Sequence, residues 1–391
     1  MIETDLPRMQ IRGHSLLPMM QGGMGIGISA HRLAGTVAAE GAVGTIAGVE
    51  LRRLHHDLME NHRRCHDHDE LFKDNLIALD REIRMARKIA GADGFLAVNV
   101  MKALKHAPEL VKQACQSGAN AIVMGAGLPF DLPELTEGYD DVALIPILSE
   151  VRGIRAVLKK WQRKGRLPDA IVIEHPRYAG GHLGATRINE IDDTKYDFLT
   201  VLLQTRELME KLSIDPASIP LIAAGGINSH EQISKLIAAG YAGVQIGTPF
   251  AVTCEGDAHV NFKQVLINAK PEDIVTFTSS AGLPARAVLT PWLEKYMKRE
   301  ERLKEKANSE RARCPRNLEC LSHCGFKDGN PEAGQFCIET QLAAAQRGDV
   351  KKGLFFRGTE ALPFRKEIRP VHDLLTFFLQ NTGFKCEPDA A

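Results

Sequence analysis

The chain has 391 residues, enough for one large barrel domain with additions or for two ordinary domains. Its 49 Lys and Arg balance 49 Asp and Glu, so no net charge draws it to nucleic acid or to anionic lipid. Hydrophobic residues at 44% and charged residues at 25% describe a folded globular protein without membrane spans, and residues 1–18 lack the apolar core of a signal peptide, so the expected address is cytoplasmic.

Along the chain, short apolar runs alternate with amphipathic stretches of helical period. The runs fall at residues 17–21, 44–46, 95–100, 121–124, 143–147, 170–173, 220–223 and 243–246. They are apolar on both faces, as buried parallel strands are. Helical patterns occupy 78–90, 107–116, 151–164 and 229–239. Eight strand candidates in such a series favour closure into an α/β (β/α)8 TIM barrel over an open doubly wound sheet. The open sheet would need a dinucleotide fingerprint, and Gly23-Met24-Gly25-Ile26-Gly27 lacks the acidic residue after a second strand. Residues 55–70 form a polar, His-rich excursion, and 291–313 read as a highly charged exposed helix. The expected division is therefore a barrel over 1–290, then a helical, Cys-containing extension over 291–391 packed on the barrel or on a second subunit.

Four glycine turns carry the chemistry. Ala224-Gly225-Gly226-Ile227 ends one apolar run, with Asn228 and Ser229 placed to cap a helix, and Gln245-Ile246-Gly247-Thr248 repeats the arrangement soon after. Glycine lets backbone N–H groups approach a phosphate, and the loops after the last two barrel strands are where barrels bind one. Each turn alone could be only a tight turn; the ordered pair favours a phosphate, from FMN or from a sugar-phosphate substrate. Gln21-Gly22-Gly23-Met24-Gly25 follows the first run and lets a flat ring lie against backbone. Ala179-Gly180-Gly181-His182 follows the sixth and brings a histidine, a general acid or base near neutrality, to the barrel mouth. Asn99 and Glu174 end strands at the same rim, where a buried structural amide or carboxyl is the plainer alternative.

Taken in order over about residues 15–290, these turns, with Ala97-Val98-Asn99-Val100 and Gly125-Ala126-Gly127-Leu128-Pro129, resemble the nitronate monooxygenase family. That family was formerly called 2-nitropropane dioxygenase and includes related FMN-dependent enoyl-acyl-carrier-protein reductases. The tail, with Cys320-Leu-Ser-His-Cys324 and Cys337-Ile338, is similar to one branch of it. The resemblance implies noncovalent FMN. Its phosphate would lie on Gly225, Gly226, Gly247 and Thr248, its ring near Gly22, Gly23 and Met24, and its pyrimidine near Asn99. Gln21, Glu174, Gly181, Ala224 and Gln245 complete the surroundings, and His182 would be the base that takes the α-proton of a nitroalkane or orients a nitronate. The chain departs from the family where Glu174-His175-Pro176-Arg177-Tyr178 replaces a Gln-Gly-x-Glu run and where Pro249 replaces an Arg. Both positions border the substrate or cofactor, so an NAD(P)H-dependent reductase of enoyl or quinone substrates stands as the alternative enzyme, and a flavin-binding partner protein as the non-catalytic one. The implied partners are a small-molecule substrate with O2 or NAD(P)H, and a second copy in a homodimer; no nucleic acid or membrane is expected.

Two clusters read as structural. His55, His56, His62, Cys65, His66 and His68 lie among acidic residues, with His62 and His66 on one helix face, and suit a solvated excursion. Cys314, Cys320, Cys324 and Cys337 lack a Cys-x2-Cys pair, so the expectation is no metal.

Overall fold

Eight short parallel strands close into a barrel: β1 (Met19–Gln21), β2 (Val43–Ala47), β3 (Phe95–Met101), β4 (Ala121–Gly125), β5 (Ala143–Leu148), β6 (Ile171–Glu174), β7 (Leu221–Ala224) and β8 (Gly243–Ile246). The computed structural model describes residues 2–61, 67–308, 314 and 320–381. Neighbouring strands pair in sequence order, β8 returns to β1 with Ile246 opposite Gln21, and β6 meets β7 with Glu174 opposite Ala224. Every strand lies within two residues of its sequence-predicted run.

Strand alternation sorts the apolar side chains into two layers. Met20, Val43, Ala97, Val123, Ile145, Val172 and Ile222 fill the barrel interior. Their neighbours Met19, Ile46, Val98, Ile122, Leu144, Ile173 and Val244 face the helices outside. This double burial is why the runs read as continuously apolar. A hairpin of Met9–Ile11 and His14–Leu16 plugs the end where the strands begin, burying Met9, Ile11 and Leu16 among the interior residues. Arg12 fastens it to Asp169 at 2.9 Å. Chemistry is thereby confined to the other end.

The helices that follow are α1 (His31–Ala39), α2 (His68–Ala90), α3 (Ala107–Gln116), α4 (Val151–Gln162), α5 (Phe198–Lys211), α6 (His230–Ala239) and α7 (Val260–Asn268), with a single turn at Leu132–Leu135 after β4. α2 starts ten residues ahead of its predicted 78, because Asp67 caps it by accepting from the N–H groups of Asp69 and Glu70. Ala30 gives α1 no cap, and Asp257 supplies one from across the fold, accepting from Ala30, Arg32 and Leu33 N–H at 2.8, 3.2 and 3.2 Å.

Two expectations need correction. The charged stretch 291–313 is not one exposed helix: Pro291–Met297 and Glu300–Glu305 are separate, and residues 309–313 lie outside the described ones. The first is docked, because Leu293 and Tyr296 are buried and Trp292 and Tyr296 pack on Phe336. The His-rich stretch is not wholly solvated either. His55 Nε2 lies 3.0 Å from buried Glu82, which also holds His31 at 2.8 Å, and His68 stacks towards His106. His62, Cys65 and His66 fall outside the described residues. Among those described, no three His, Cys, Asp or Glu side chains gather as metal ligands, and no helix is long and apolar enough to cross a membrane.

Beyond the barrel, β9 (Ile274–Thr278) and β10 (Pro284–Val288) form an antiparallel pair, joined on β10's far edge by Gly181–His182. Farther on come α8 (Ile338–Gln346) and α9 (Val371–Leu379). α9 buries Val371, Leu374, Leu375, Phe378 and Leu379, and Phe378 O lies 2.9 Å from His230 Nδ1 at the start of α6. α8 is tied to the barrel side by Arg53 and Glu339, a buried ion pair.

Candidate active site

At the C-terminal ends of the strands the barrel opens on a cavity of about 290 Å³. The first turn contributes Gly22, Gly23 and Met24, and β3 and β6 contribute Asn99 and Glu174. Gly181 and His182 face it from the Ala179–His182 turn; Ala224, Gly225 and Gly226 close one side, and Gln245, Gly247 and Thr248 the next. Of the fourteen residues picked from sequence, only Gln21 is not on this lining. Its side chain is engaged in the barrel wall, where Oε1 accepts the Thr45 N–H at 2.9 Å and Nε2 donates to Gly22 O.

Close approach explains the first turn. A Cβ on Gly23 would stand 2.4 Å from Asn99 Cβ, so this glycine lets the turn lie flat beside the Asn99 amide. Gly22 N–H donates to Ile246 O at 2.9 Å, and Met24 N–H to Ser29 Oγ at 2.8 Å, which fixes the turn against β8 and the start of α1. After β7, Gly225 and Gly226 both have positive φ (+96° and +74°), and the Tyr178 ring lies against Gly226. The backbone of Gly225, Gly226, Gly247 and Thr248 borders the cavity on this side. Gln245 Oε1 is buried without a donor. An unpaired acceptor beside glycine backbone suits a polar ligand that brings its own donor.

His182 is held by elements the sequence reading did not find. Gly181 and His182 pair with Arg286 and Ala285 of β10. The buried Arg286 guanidinium donates to Pro176 O at 3.1 Å and to Ala179 O, so it clamps the loop that delivers the histidine. His182 Nε2 lies 3.1 Å from Ser279 Oγ, and the Phe356 ring stands 5.7 Å away. Burial pushes the His182 imidazole down to about 4, so it is neutral at pH 7. Burial pushes the Glu174 carboxyl up to about 7. Two proton-handling groups with inverted tendencies therefore face one cavity, a pattern common where protons are moved. The β-branched run Ile274-Val-Thr-Phe-Thr278 ahead of Ser-Ser-Ala-Gly282 was a readable hairpin signal. No local signal marked Ser279 or Arg286.

The family model described as Nitronate monooxygenase matches residues 11–381. A probable nitronate monooxygenase of Bacillus subtilis (strain 168) is 31% identical over 124 residues, 32% of this chain and 33% of that protein. One from Staphylococcus saprophyticus is 32% identical over 125 residues, again 32% and 33% of the two chains. The matched segment spans only about a third of these curated relatives. Among solved structures, FabK from Thermotoga maritima superposes with a TM-score of 0.64 at 21% identity, covering 97% of this chain and 96% of its own. A nitroalkane oxidase from Streptomyces ansochromogenes gives 0.60 at 19% identity, covering 92% and 94%. At those identities the structural likeness speaks for the fold alone. The family model spans nearly the whole length, and on that match the chain belongs to the nitronate monooxygenase family.

Proposed function

We propose that the cavity binds FMN and that the protein is an FMN-dependent oxidoreductase, oxidising alkyl nitronates to carbonyl compounds and nitrite with O2. The observation that carries this reading is the convergence of four glycine turns, the unpaired Gln245 Oε1 and His182 on one cavity. The residues fit the cofactor: the turns at 225–226 and 247–248 offer donors to a phosphate, Gly22, Gly23 and Met24 leave a flat wall, and Asn99 with the unpaired Gln245 Oε1 offers polar partners to a pyrimidine edge. FMN, when bound, supplies the electron-accepting ring.

The chain's own residues handle the proton. In the tautomer where Nε2–H donates to Ser279 Oγ, Nδ1 of His182 is the basic atom, and burial keeps the ring neutral at working pH. His182 would take the acidic α-proton of a nitroalkane or orient an already formed nitronate. The β10 pairing and the Arg286 clamp hold the imidazole in place, which serves orientation. Residues 1–290 carry the barrel in this reading and 291–391 are the extension, of which residues between Cys320 and Ala361 complete the walls of the site. A soluble cytoplasmic setting and a homodimer belong to the same proposal.

A second enzyme reading, reduction of an enoyl or quinone substrate with NAD(P)H, is favoured by one observation. Tyr178, which stands where the family carries Glu, lays its ring on Gly226 and so changes the wall beside the cofactor. Anaerobic mixing of flavin-loaded protein separates the two. Rapid bleaching by an alkyl nitronate, with none by NADH or NADPH, supports the monooxygenase; the reverse pattern replaces it with the reductase.

A further inference from the structure

Residues 356–361 belong to the C-terminal extension, yet they touch three of the four turns that build the site, at Tyr178–Gly180, Asn228 and Thr248. Phe356 bridges to Ala287 of β10, and Arg357 N–H donates to Arg286 O at 3.5 Å, so the segment starts from the strand that also holds His182. Gly358 N–H donates to Thr248 Oγ1 at 3.1 Å, and Thr359 N–H to Tyr178 O at 3.2 Å. Asn228 Nδ2 reaches Glu360 Oε2 at 3.4 Å. The contact with the His182 turn is tightest: a Cβ on Gly180 would stand 2.4 Å from both Arg357 C and Gly358 N. The first glycine of the Ala-Gly-Gly-His turn therefore makes room for this segment rather than for a ligand. Phe356, Arg357, Gly358, Glu360 and Ala361 all line the cavity.

We infer that residues 356–361 form a strap that completes the phosphate end of the cofactor site and retains the bound flavin, with Thr248 as the joint. The inference rests on the FMN reading above. Its chemistry follows from the Thr248 hydroxyl, a group with one proton to give and lone pairs to receive. Because that oxygen accepts from Gly358 N–H, its own proton is left to donate, and a phosphate oxygen is the acceptor that matches. A phosphate seated on the turns would thus be linked through Thr248 to the strap. Release then requires the strap to part from the turns it ties together, so strap and phosphate hold each other.

The test uses the full chain freed of cofactor, titrated with FMN and separately with riboflavin, which has the same ring and no phosphate. In Gly358→Ala the new Cβ would sit 2.9 Å from Tyr178 O and lift the strap. The expected result is an FMN Kd raised about 10-fold, the scale of one lost hydrogen bond to a charged group, with riboflavin binding unchanged. Hydrogen exchange on the unsubstituted protein gives a second reading that needs no variant: FMN should protect the amides of Gly358 and Thr359, and riboflavin should not. Equal weakening of both flavins in the variant, an unchanged FMN Kd, or no protection of the strap by FMN would each overturn the inference while leaving the FMN reading intact. Failure of the unsubstituted protein to bind either flavin would remove both.

Discussion

Replacing His182 or Glu174 should expose two opposed pH dependences that hide each other in the intact, cofactor-free protein. Burial lowers His182 from 6.5 to about 4 and raises Glu174 from 4.5 to about 7. The folded His182 resists a proton that the unfolded chain accepts, so its contribution is present above pH 6.5 and is lost as pH falls towards 4. The folded Glu174 keeps a proton that the unfolded chain gives up, so its contribution is present below pH 4.5 and is lost as pH rises through about 7. Each slope is about 1.4 kcal/mol per pH unit, so between pH 6.5 and 4.5 each group accounts for roughly 3 kcal/mol, with opposite sign. Glu174→Gln should therefore lose roughly 3 kcal/mol relative to the parent over that fall in pH, and His182→Gln should gain about as much. Urea denaturation of the three proteins at pH 4.5, 5.5, 6.5 and 7.5 measures this directly. Two variants whose stability runs parallel to the parent across the range would show that neither group is held as described.

Other consequences are as specific. Asp257→Ala removes the distant cap of α1 and should cost about 1–2 kcal/mol in denaturation, with Asp257→Asn losing less. Glu339→Ala leaves the buried Arg53 with only the more distant Glu50, at 3.8 Å, and should cost about 2 kcal/mol, read as a lower denaturation midpoint. On the proposed reaction, His182→Gln should lower turnover about 100-fold or more while the bound-flavin spectrum persists. Loss of the flavin spectrum in that variant would instead make His182 a binding residue.

The barrel was legible because its strands are buried on both faces, so each left a mostly apolar run, in five of the eight with a glycine close behind. The glycine turns were legible because paired glycines at the ends of apolar runs stand out in the sequence, and all four turns reach the cavity. What stayed hidden depends on contacts between distant parts of the chain. Gly180 looked like half of a His-delivering turn, yet its close neighbour is Arg357 and Gly358, far along the sequence. Gln21 sat in the right motif, but its amide found Thr45 on the adjacent strand. Helix α1 begins without a capping residue, and nothing near it announces Asp257. In the charged stretch after residue 291, net polarity concealed Leu293 and Tyr296, which dock the first helix.

The central claim is that the glycine turns and His182 surround FMN. Spectrophotometric titration of the cofactor-free protein with FMN tests it most directly. The account predicts a saturable shift of the flavin absorption bands, complete at one equivalent of protein. A flavin spectrum that stays that of free FMN through equimolar protein would contradict it.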